Sequence, residues 1–528
     1  MIKKILIFLS CIVIVLGGLA LIWKSDVREK NTLRIAFSGD IQSLHGSTTQ
    51  DANTHRVTYM LFEGLMRRDD KDMPQLAAAS CYDLSDDQKT YTFYLRDSQW
   101  SDGTPLTARD FEYAWKRLID PNSEATLRIS HFFDCIKNAK ECLCGGKDID
   151  SVGIKAVNDK TLVVELEYPC PFLIDLLTVS YFFPLPEHII KKEGHWMTSS
   201  TLVYNGPFKL QKWRHNSEIV LKKNTNYWDK SHVYLDGIHI SIIPNTTTVL
   251  NMFQRNELDW VGSPFCLMSY DISCDTLTQD TEDASILWCL CNTKKPCLNN
   301  KKFRQALSYA IDRKTIVENA FSTKDRSAKS IFPSTLELSD LSYFDNKDAF
   351  FAKQLFSEAL EELNISREDL PEMYLSYVAD SEVQHRIAQA IQDQWRAHLG
   401  FNCSLQRVEW GAHYGNLTRG SYDLGFVSWS ALCMDPYYSM EFFRSKSENL
   451  CMWENQDFIH YLDQAKLEFN DGRRIDKLLK AESILMDEMP VIPLCSLNKR
   501  FNKNPKLKGE VVSQFRLVDF KSAYFGDN

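Results

Sequence analysis

Strand-like and helix-like patterns of hydrophobic residues are interleaved along the whole chain, and this mixture constrains the fold more than any other feature. Thr161–Tyr168 and Ile238–Ile242 alternate apolar and polar side chains, which predicts half-buried strands. Apolar side chains recur at helical spacing in Phe111–Leu118, Phe303–Phe321 and Val383–Leu399. The mixture predicts α/β lobes whose cores are sheets.

Capping residues mark the ends of these predicted helices. Thr107, with Asp110 three residues on, predicts the start of the first helix, and Pro121 prevents its continuation. Ser381, with Gln384 three residues on, predicts the start of the third helix. Gly400 predicts its end.

The length of the chain predicts more than one lobe. Its 528 residues exceed the size at which a single hydrophobic core keeps growing, so we expect at least two. Hydrophobic residues make up 44% and charged residues 25%, without low-complexity tracts, which is typical of a globular protein. The net charge of −9 argues against a nucleic-acid binder, because such a protein presents a basic face.

The N-terminus has the pattern of an export or anchor segment. Lys3-Lys4 precede an uncharged run, Ile5–Trp23. A basic segment before an apolar run is typical of a secretory signal, and a run of this length also suffices to span a bilayer. Two alternatives stay open: cleavage near Gly18–Ala20, or retention of residues 1–26 as a membrane anchor. In both, the rest of the chain lies outside the cytoplasm, in the periplasm or cell envelope.

The chemistry-bearing residues form no recognisable catalytic or metal motif. Cys142–Cys144 and the group Cys289, Cys291 and Cys297 lack the paired CxxC or histidine spacing of a zinc site, so structural thiols or disulfides are favoured. No nucleophile-elbow, Walker, dinucleotide or HExxH motif occurs. We expect no enzymatic activity, cofactor or metal; a catalytic triad assembled by the fold is the alternative that sequence leaves open.

One segment combines the patterns of a strand, a turn and a helix. Thr92–Phe111 reads TFYLRDSQWSDGTPLTARDF, in which a strand ends near Leu95, Asp102-Gly103 form a turn and Thr107 caps a helix. This segment resembles the signature of the extracellular solute-binding proteins of family 5, the oligopeptide- and dipeptide-binding group. Its residues serve the fold and include no catalytic group.

Further segments resemble the same family in the same order along the chain. They are Asn205–Leu210, Asn224–Asp229, Glu257–Asp259, Phe303–Arg313 and Pro490–Leu494. Asn256 departs from the pattern, because it replaces a glycine of the family. The resemblance therefore covers nearly the whole chain.

The resemblance implies an α/β fold of the type II periplasmic-binding-protein class, with two hinged lobes and an extra α/β domain on the first. Lobe I is expected at residues 27–60, 168–268 and 490–528, the extra domain at 61–167, and lobe II at 269–489. Because the chain then crosses between the lobes twice, hinge bending can close them over a ligand.

The resemblance also implies where a ligand binds. Peptide-binding members of the family hold an extended peptide between the lobes through strand-like backbone hydrogen bonds. The corresponding lobe II segment here is Tyr422–Pro436. The ligand-contacting residues implied are Gln50, Asp51, Ala52, Asn53, Asn205, Gly206, Trp410, Ser428, Trp429, Ser430, Ala431, Leu432 and Asp435. Trp410 and Trp429 either wall this pocket or belong to the core.

Leu432 stands where the family has an acid that pairs with the α-ammonium of the peptide. A buried ammonium without a partner costs several kcal/mol, and leucine supplies no charge. Either Asp435 or Asp51 replaces the acid, or the ligand has no free α-amine here. We therefore predict a preference for modified or otherwise non-standard peptides.

Three functions remain as hypotheses. The first is a monomeric receptor that captures oligopeptides or peptide-like solutes for the inner-membrane permease and ATPase of an ABC importer. The second keeps the fold but binds a metal chelate, haem, glutathione or a sugar. The third is a membrane-anchored sensor or chaperone of the cell envelope, which a retained N-terminal anchor would favour.

Overall fold

The computed structural model describes residues 31–45, 51–123, 130–193, 202–265, 278–320, 326–344, 348–444, 449–468 and 470–526. Gln50 and the predicted signal or anchor segment, residues 1–26, lie outside these ranges. Within these ranges, no helix combines the length and the apolar character that a membrane crossing requires.

The secondary structure mixes strands and helices throughout, as the hydrophobic patterns predict. The strands are β1 (Thr32–Phe37), β2 (Met66–Arg68), β3 (Pro74–Leu76), β4 (Ala79–Leu84), β5 (Thr90–Leu95), β6 (Ile154–Asn158), β7 (Thr161–Glu165), β8 (Phe208–Arg214), β9 (Glu218–Lys223), β10 (Gly237–Ile242), β11 (Trp260–Gly262), β12 (Gln279–Cys291), β13 (Arg326–Ser327), β14 (Tyr374–Val378), β15 (Ser404–Val408), β16 (Leu424–Ser430), β17 (Val491–Lys503), β18 (Leu507–Lys508), β19 (Val511–Ser513), β20 (Leu517–Asp519) and β21 (Tyr524–Phe525). The helices are α1 (Ala52–Leu61), α2 (Ala108–Ile119), α3 (Ala139–Leu143), α4 (Leu173–Leu176), α5 (Glu187–Glu193), α6 (Thr246–Gln254), α7 (Lys301–Tyr309), α8 (Arg313–Ala320), α9 (Ala349–Leu363), α10 (Glu382–Leu399), α11 (Trp410–Arg419), α12 (Pro436–Glu441), α13 (Gln456–Lys466) and α14 (Asp471–Glu488).

Two four-stranded sheets share the first hydrophobic core. One has the order β1-β10-β9-β8, with β1 parallel to β10, and the other is the antiparallel sheet β4-β5-β7-β6. Trp100, Trp115 and Trp260 are fully buried in this core. The sheet β4-β5-β7-β6 lies within the range predicted for the extra domain. It therefore shares a core with the sheet β1-β10-β9-β8.

A seven-stranded sheet carries the second hydrophobic core. Its order is β11-β17-β12-β16-β14-β15, and β13 pairs with β17. Helices α7 to α14 supply apolar side chains to this core, among them the fully buried Trp395 on α10.

The long strand β17 runs from one core into the other, and the long strand β12 lies beside it. They pair antiparallel, and each has 13 residues. Phe501 of β17 stacks on Trp260 in the first core at 4.3 Å between ring centroids, whereas Ile492 of the same strand is buried in the second core. The register of the pair shifts between Glu282 and Ser285. The predicted two-lobed α/β fold is confirmed, and the residue limits assigned to its domains stay predictions.

The predicted helix caps are confirmed where the signal is local. The backbone N–H of Thr107 donates to Asp110 Oδ2 at 2.8 Å, which closes the capping box of α2. Ser381 caps α10, which ends at Gly400 with a φ of 67°. The positive φ suits glycine, since it has no Cβ to clash in the left-handed region.

The prediction of one continuous helix over Phe303–Phe321 was wrong, because the chain breaks between α7 and α8. Asp312 Oδ1 accepts from the backbone N–H of Thr315 at 3.1 Å and so starts a new helix. Arg313 is buried and donates to the carbonyl of Pro493 on β17 at 2.7 Å. The apolar spacing alone did not show this interruption.

Candidate functional site

Strand β16 has an open edge in the middle of the second sheet. The backbone N–H of Ala431, just after β16, donates to the carbonyl of Ala284 of β12 at 2.8 Å. Hydrogen-bonded pairs alternate along an antiparallel ladder, so the backbone groups of Ser428 and Ser430 point away from β12. On that side β14 pairs only with Leu424 and Gly425. Within the described part of the chain, the N–H and C=O groups of Ser428 and Ser430 therefore have no neighbouring strand with which to pair.

The chain after β16 lies at the boundary between the lobes. Ala431 belongs to the second core, whereas Cys433 belongs to the first. Farther on, Tyr437 packs in the second core and Tyr438 in the first. The open edge of β16 thus ends where the two lobes meet.

Leu432 is partly buried at this boundary and packs against the first core. Its side chain offers apolar contact only, so the position where the resemblance predicts an acid has no charge here. The structure therefore provides no carboxylate at residue 432 for an ammonium group.

Asp435, one predicted substitute for that acid, is engaged locally. Its Oδ1 accepts from the backbone N–H of Tyr437 and from Arg474 Nη2, both at 2.9 Å. It caps α12 and forms an ion pair with Arg474. These two bonds occupy the carboxylate oxygen that faces α12.

Asp51, the other predicted substitute, caps α1. Its Oδ2 accepts from the backbone N–H and the hydroxyl of Thr54, at 2.8 and 2.7 Å. Ala52 is exposed in the first turn, and Asn53 donates to the carbonyl of Gly39 at 2.9 Å. In these contacts Asp51 and Asn53 fix the start of a helix, and their role toward a ligand stays a prediction.

Asn205 and Gly206 join two segments of the first lobe. The Asn205 side chain accepts from the backbone N–H of Glu63 at 3.1 Å and donates to its carbonyl at 2.8 Å. A Cβ on Gly206 would lie 2.6 Å from the backbone of Leu61 and Phe62. The contacts of both residues are structural, since they hold the chain close to the end of α1.

The two predicted pocket tryptophans lie in different surroundings. Trp429 is partly buried and stacks on the fully buried Trp288, with 5.4 Å between ring centroids. Trp410 is 52% exposed at the start of α11 and stacks on Tyr414. Trp429 of β16 therefore packs on the second core, Trp410 stands farther into solvent, and a role of either ring in a ligand pocket stays a prediction.

Direct contacts across the boundary involve residues that the sequence analysis did not single out. Asp175 of the first lobe accepts from the backbone N–H of Met434 in the second lobe at 2.7 Å. The same carboxylate accepts from Arg68 Nη2 at 2.7 Å. No local pattern connects residues 175 and 434, so only the tertiary structure reveals this bond.

Aromatic rings also meet across the boundary. Phe132 stacks on Tyr438 with 5.1 Å between centroids, and Phe172 stacks on Tyr437 at 6.0 Å. Lys466 Nζ of α13 lies 3.8 Å from the centroid of the Tyr168 ring. These contacts hold the lobes together beside the segment that follows β16.

The cysteines with metal-like spacing do not assemble a ligand set. Cys289 and Cys291 are buried on β12 in the second core, and Cys142 Sγ donates to the carbonyl of Asp148 at 3.1 Å. Burial raises the pKa of the Cys289 and Cys291 thiols, to about 12 for Cys291. Among the described residues, no group of three or more His, Cys, Asp or Glu side chains has the geometry of a metal site.

Two cores joined by paired strands, with an open strand edge at their boundary, define a two-lobed solute-binding protein. The sequence model of bacterial extracellular solute-binding proteins, family 5 Middle, matches residues 73–450. The chain belongs to family 5 of the bacterial extracellular solute-binding proteins, in agreement with its motifs.

The similarity extends over nearly the full length of several relatives. The chain is 37% identical to the oligopeptide-binding protein OppA of Bacillus subtilis, over 95% of this chain and 94% of that protein. It is 30% identical to the dipeptide-binding protein DppE of the same organism, over 88% and 86% of the two chains. The solved structure of the murein tripeptide binding protein MppA of Escherichia coli matches with a TM-score of 0.84 at 25% identity, over 95% and 99%.

Proposed function

We propose that this protein captures an extended peptide or peptide-like solute against the open edge of β16, between its lobes, and releases it unchanged. The observation that carries the proposal is the pair of unbonded backbone positions, Ser428 and Ser430, beside the lobe boundary. An extended peptide offers complementary N–H and C=O groups at the spacing of a strand, so it can add to this edge.

The chemistry of such an edge favours affinity for the ligand backbone over selection of its side chains. Main-chain hydrogen bonds are the same for every residue of a peptide except proline. The partly buried Trp429 supplies a flat apolar surface next to these bonds. The relatives named for oligopeptide, dipeptide and murein tripeptide binding support a ligand of this class.

The proposal includes delivery to the permease and ATPase of an ABC importer, from a place outside the cytoplasm. Membership of an extracellular solute-binding family supports it, as does the basic-then-apolar pattern of residues 1–26. A hinge at the paired strands β12 and β17, of which β17 enters both cores, would allow opening and closing, so that an importer can distinguish the loaded form.

Replacing Ser428 by proline tests the backbone contact directly. Proline removes the N–H that faces the open edge, and this position leaves the β12 ladder intact, so the protein should still fold. We expect peptide affinity to fall by about 1–3 kcal/mol, the cost of leaving a ligand carbonyl without a donor. Ser428→Ala keeps the N–H and serves as the matched control.

Isothermal titration calorimetry with pools of tri- to pentapeptides measures this effect, and mass spectrometry of the released ligand shows whether it is unchanged. Equal affinity of the proline and alanine variants would contradict binding along β16. A non-peptide ligand that co-purifies in native mass spectrometry would instead favour the second hypothesis.

The absence of an acid at residue 432 gives the proposal a further consequence. Since Leu432 cannot pair with an ammonium, Asp435 is bonded to Arg474 and Asp51 caps α1, we propose that the ligand presents no free α-amine at this point. N-acetylated peptides should then bind at least as tightly as their free-amine forms. Tight binding of plain peptides that acetylation weakens would refute this part.

A further inference from the structure

A small cavity lies at the lobe boundary, between the first lobe and helices α12 and α13. Its volume is about 50 Å³. Phe132, Tyr168 and Phe172 wall it from the first lobe, and Tyr437 and Tyr438 from the second. One water needs roughly 10–15 Å³ of such space, so the cavity has room for the few heavy atoms of a small polar group.

Cationic side chains outnumber acidic ones around this cavity. Lys140, Arg444 and Lys466 line it together with Asp134 and Glu441. Arg444 Nη1 donates to Asp463 at 2.7 Å, and its Nε lies 3.1 Å from Glu441 Oε1. Arg444 is thus paired with two carboxylates, whereas Lys466 lies over an aromatic ring.

Two donors at the cavity lack an acceptor. Arg444 Nη2 is buried and has no hydrogen-bond partner within the part of the chain that the structure describes. Lys466 Nζ lies over the face of Tyr168, and no described carboxylate comes within 4 Å of it. Burial lowers the pKa of this lysine, although the nearby carboxylates of Glu441, Asp134 and Asp463 act in the opposite direction.

Unsatisfied cationic donors in a partly buried site favour an oxyanion. A carboxylate accepts from both an ammonium and a guanidinium in short, charge-assisted bonds. It also has the few heavy atoms that the cavity admits.

The cavity lies near the segment that follows β16. Cys433 directly follows Leu432 and lies near Cys170. Cys170 also lies near Cys135, which lines the cavity. Tyr437 and Tyr438, which also line the cavity, follow Leu432 closely along the chain, so the cavity is near the place where an acid is missing.

We propose that this cavity binds a carboxylate carried by the peptide-like ligand, held by Lys466 and Arg444 between the lobes. The inference rests on the proposed function and specifies its substrate class: solutes that bear an anionic group where the backbone leaves β16. Because the donors belong to the second lobe and Tyr168 to the first, a bound carboxylate also links the lobes in the closed form.

The test compares three forms of one peptide that binds as its N-acetylated C-terminal amide. The second form carries N-succinyl in place of N-acetyl, and the third has a free C-terminal carboxylate. We expect one carboxylated form to bind at least about tenfold more tightly than the neutral one, the size of a single charge-assisted hydrogen bond.

Lys466→Met should reduce that advantage to less than about twofold. Lys480→Met is the matched control, since Lys480 lies over the Tyr461 ring at 5.3 Å but does not line the cavity. Lys480→Met should keep the full advantage, and thermal unfolding of both variants checks that they fold.

The outcomes separate the inference from the proposed function. Equal binding of all three forms, or an advantage that survives Lys466→Met, overturns the carboxylate site while peptide capture stands. No binding of any form overturns peptide capture itself. Lys466-dependent binding of sodium succinate without any effect on peptide affinity assigns the cavity to a free dicarboxylate and also overturns the inference.

Discussion

The Asp175 side chain of the first lobe bonds to the backbone of the second lobe, beside the segment that follows β16. Its carboxylate accepts from the Met434 N–H and from Arg68 Nη2, both at 2.7 Å. The bond to Met434 joins the two lobes, whereas the bond to Arg68 lies within the first lobe. Asp175→Ala therefore removes one contact between the lobes and one within the first lobe.

The magnitude follows from the chemistry of the lost contact. A hydrogen bond to a charged group contributes about 1.5–3 kcal/mol. Met434 is 42% exposed, so water can replace the acceptor in the variant and the lower end applies. A loss of about 1.5 kcal/mol corresponds to roughly tenfold weaker ligand binding, because closure and binding are coupled.

Calorimetry gives the affinity, and small-angle X-ray scattering of the free and loaded variant gives the degree of closure. Asp72→Ala is the control: Asp72 lies 3.7 Å from Arg68 and accepts from the Gln514 N–H, without bonding to the segment that follows β16. We expect Asp72→Ala to lower the free energy of unfolding while leaving affinity within about twofold. Unchanged affinity of Asp175→Ala, or an equal loss in both variants, would refute a role of Asp175 in closure.

Two further predictions concern stability. Burial raises the pKa of the Glu482 carboxyl to about 7 from 4.5, so this group stabilises the fold below its unfolded pKa and loses that contribution as pH rises through 7. Glu482→Gln should raise the free energy of unfolding by roughly 3 kcal/mol at pH 8 and by little at pH 4.5, as measured in urea; the same change at both pH values would contradict it. Gly206→Ala should lower the free energy of unfolding by about 1–3 kcal/mol, because its Cβ would meet the Leu61 backbone at 2.6 Å. Gly39→Ala, with no atom within 4 Å of its Cβ, should change it by less than about 0.5 kcal/mol, and equal effects at the two glycines would argue against the close approach.

Local signals in the sequence were sufficient for individual elements and for the family. The Thr107 capping box, the Ser381 cap and the Gly400 end of α10 act over three or four residues, so neighbouring residues specify them. The break between α7 and α8 escaped prediction, because Arg313 bonds to a strand 180 residues away.

The features of the candidate site were likewise predictable from the sequence only where they depend on neighbouring residues. The sequence located the segment of β16 and the leucine at residue 432, because both depend on the order of residues along one strand. It could not show that Asp435 is held by Arg474, nor that Ser428 and Ser430 lack a strand on one side. Those facts depend on which distant strand or helix packs next to the segment.

By itself, the sequence determined the class of fold, the helix caps and the segment that contains β16, since these rest on spacing and turn chemistry within short stretches. Only the tertiary structure decided what meets at the lobe boundary: Asp175 with Met434, Phe132 with Tyr438, and Lys466 over Tyr168. The physical reason is that burial and charge pairing depend on distance in space, and each of these pairs is separated by hundreds of residues of chain.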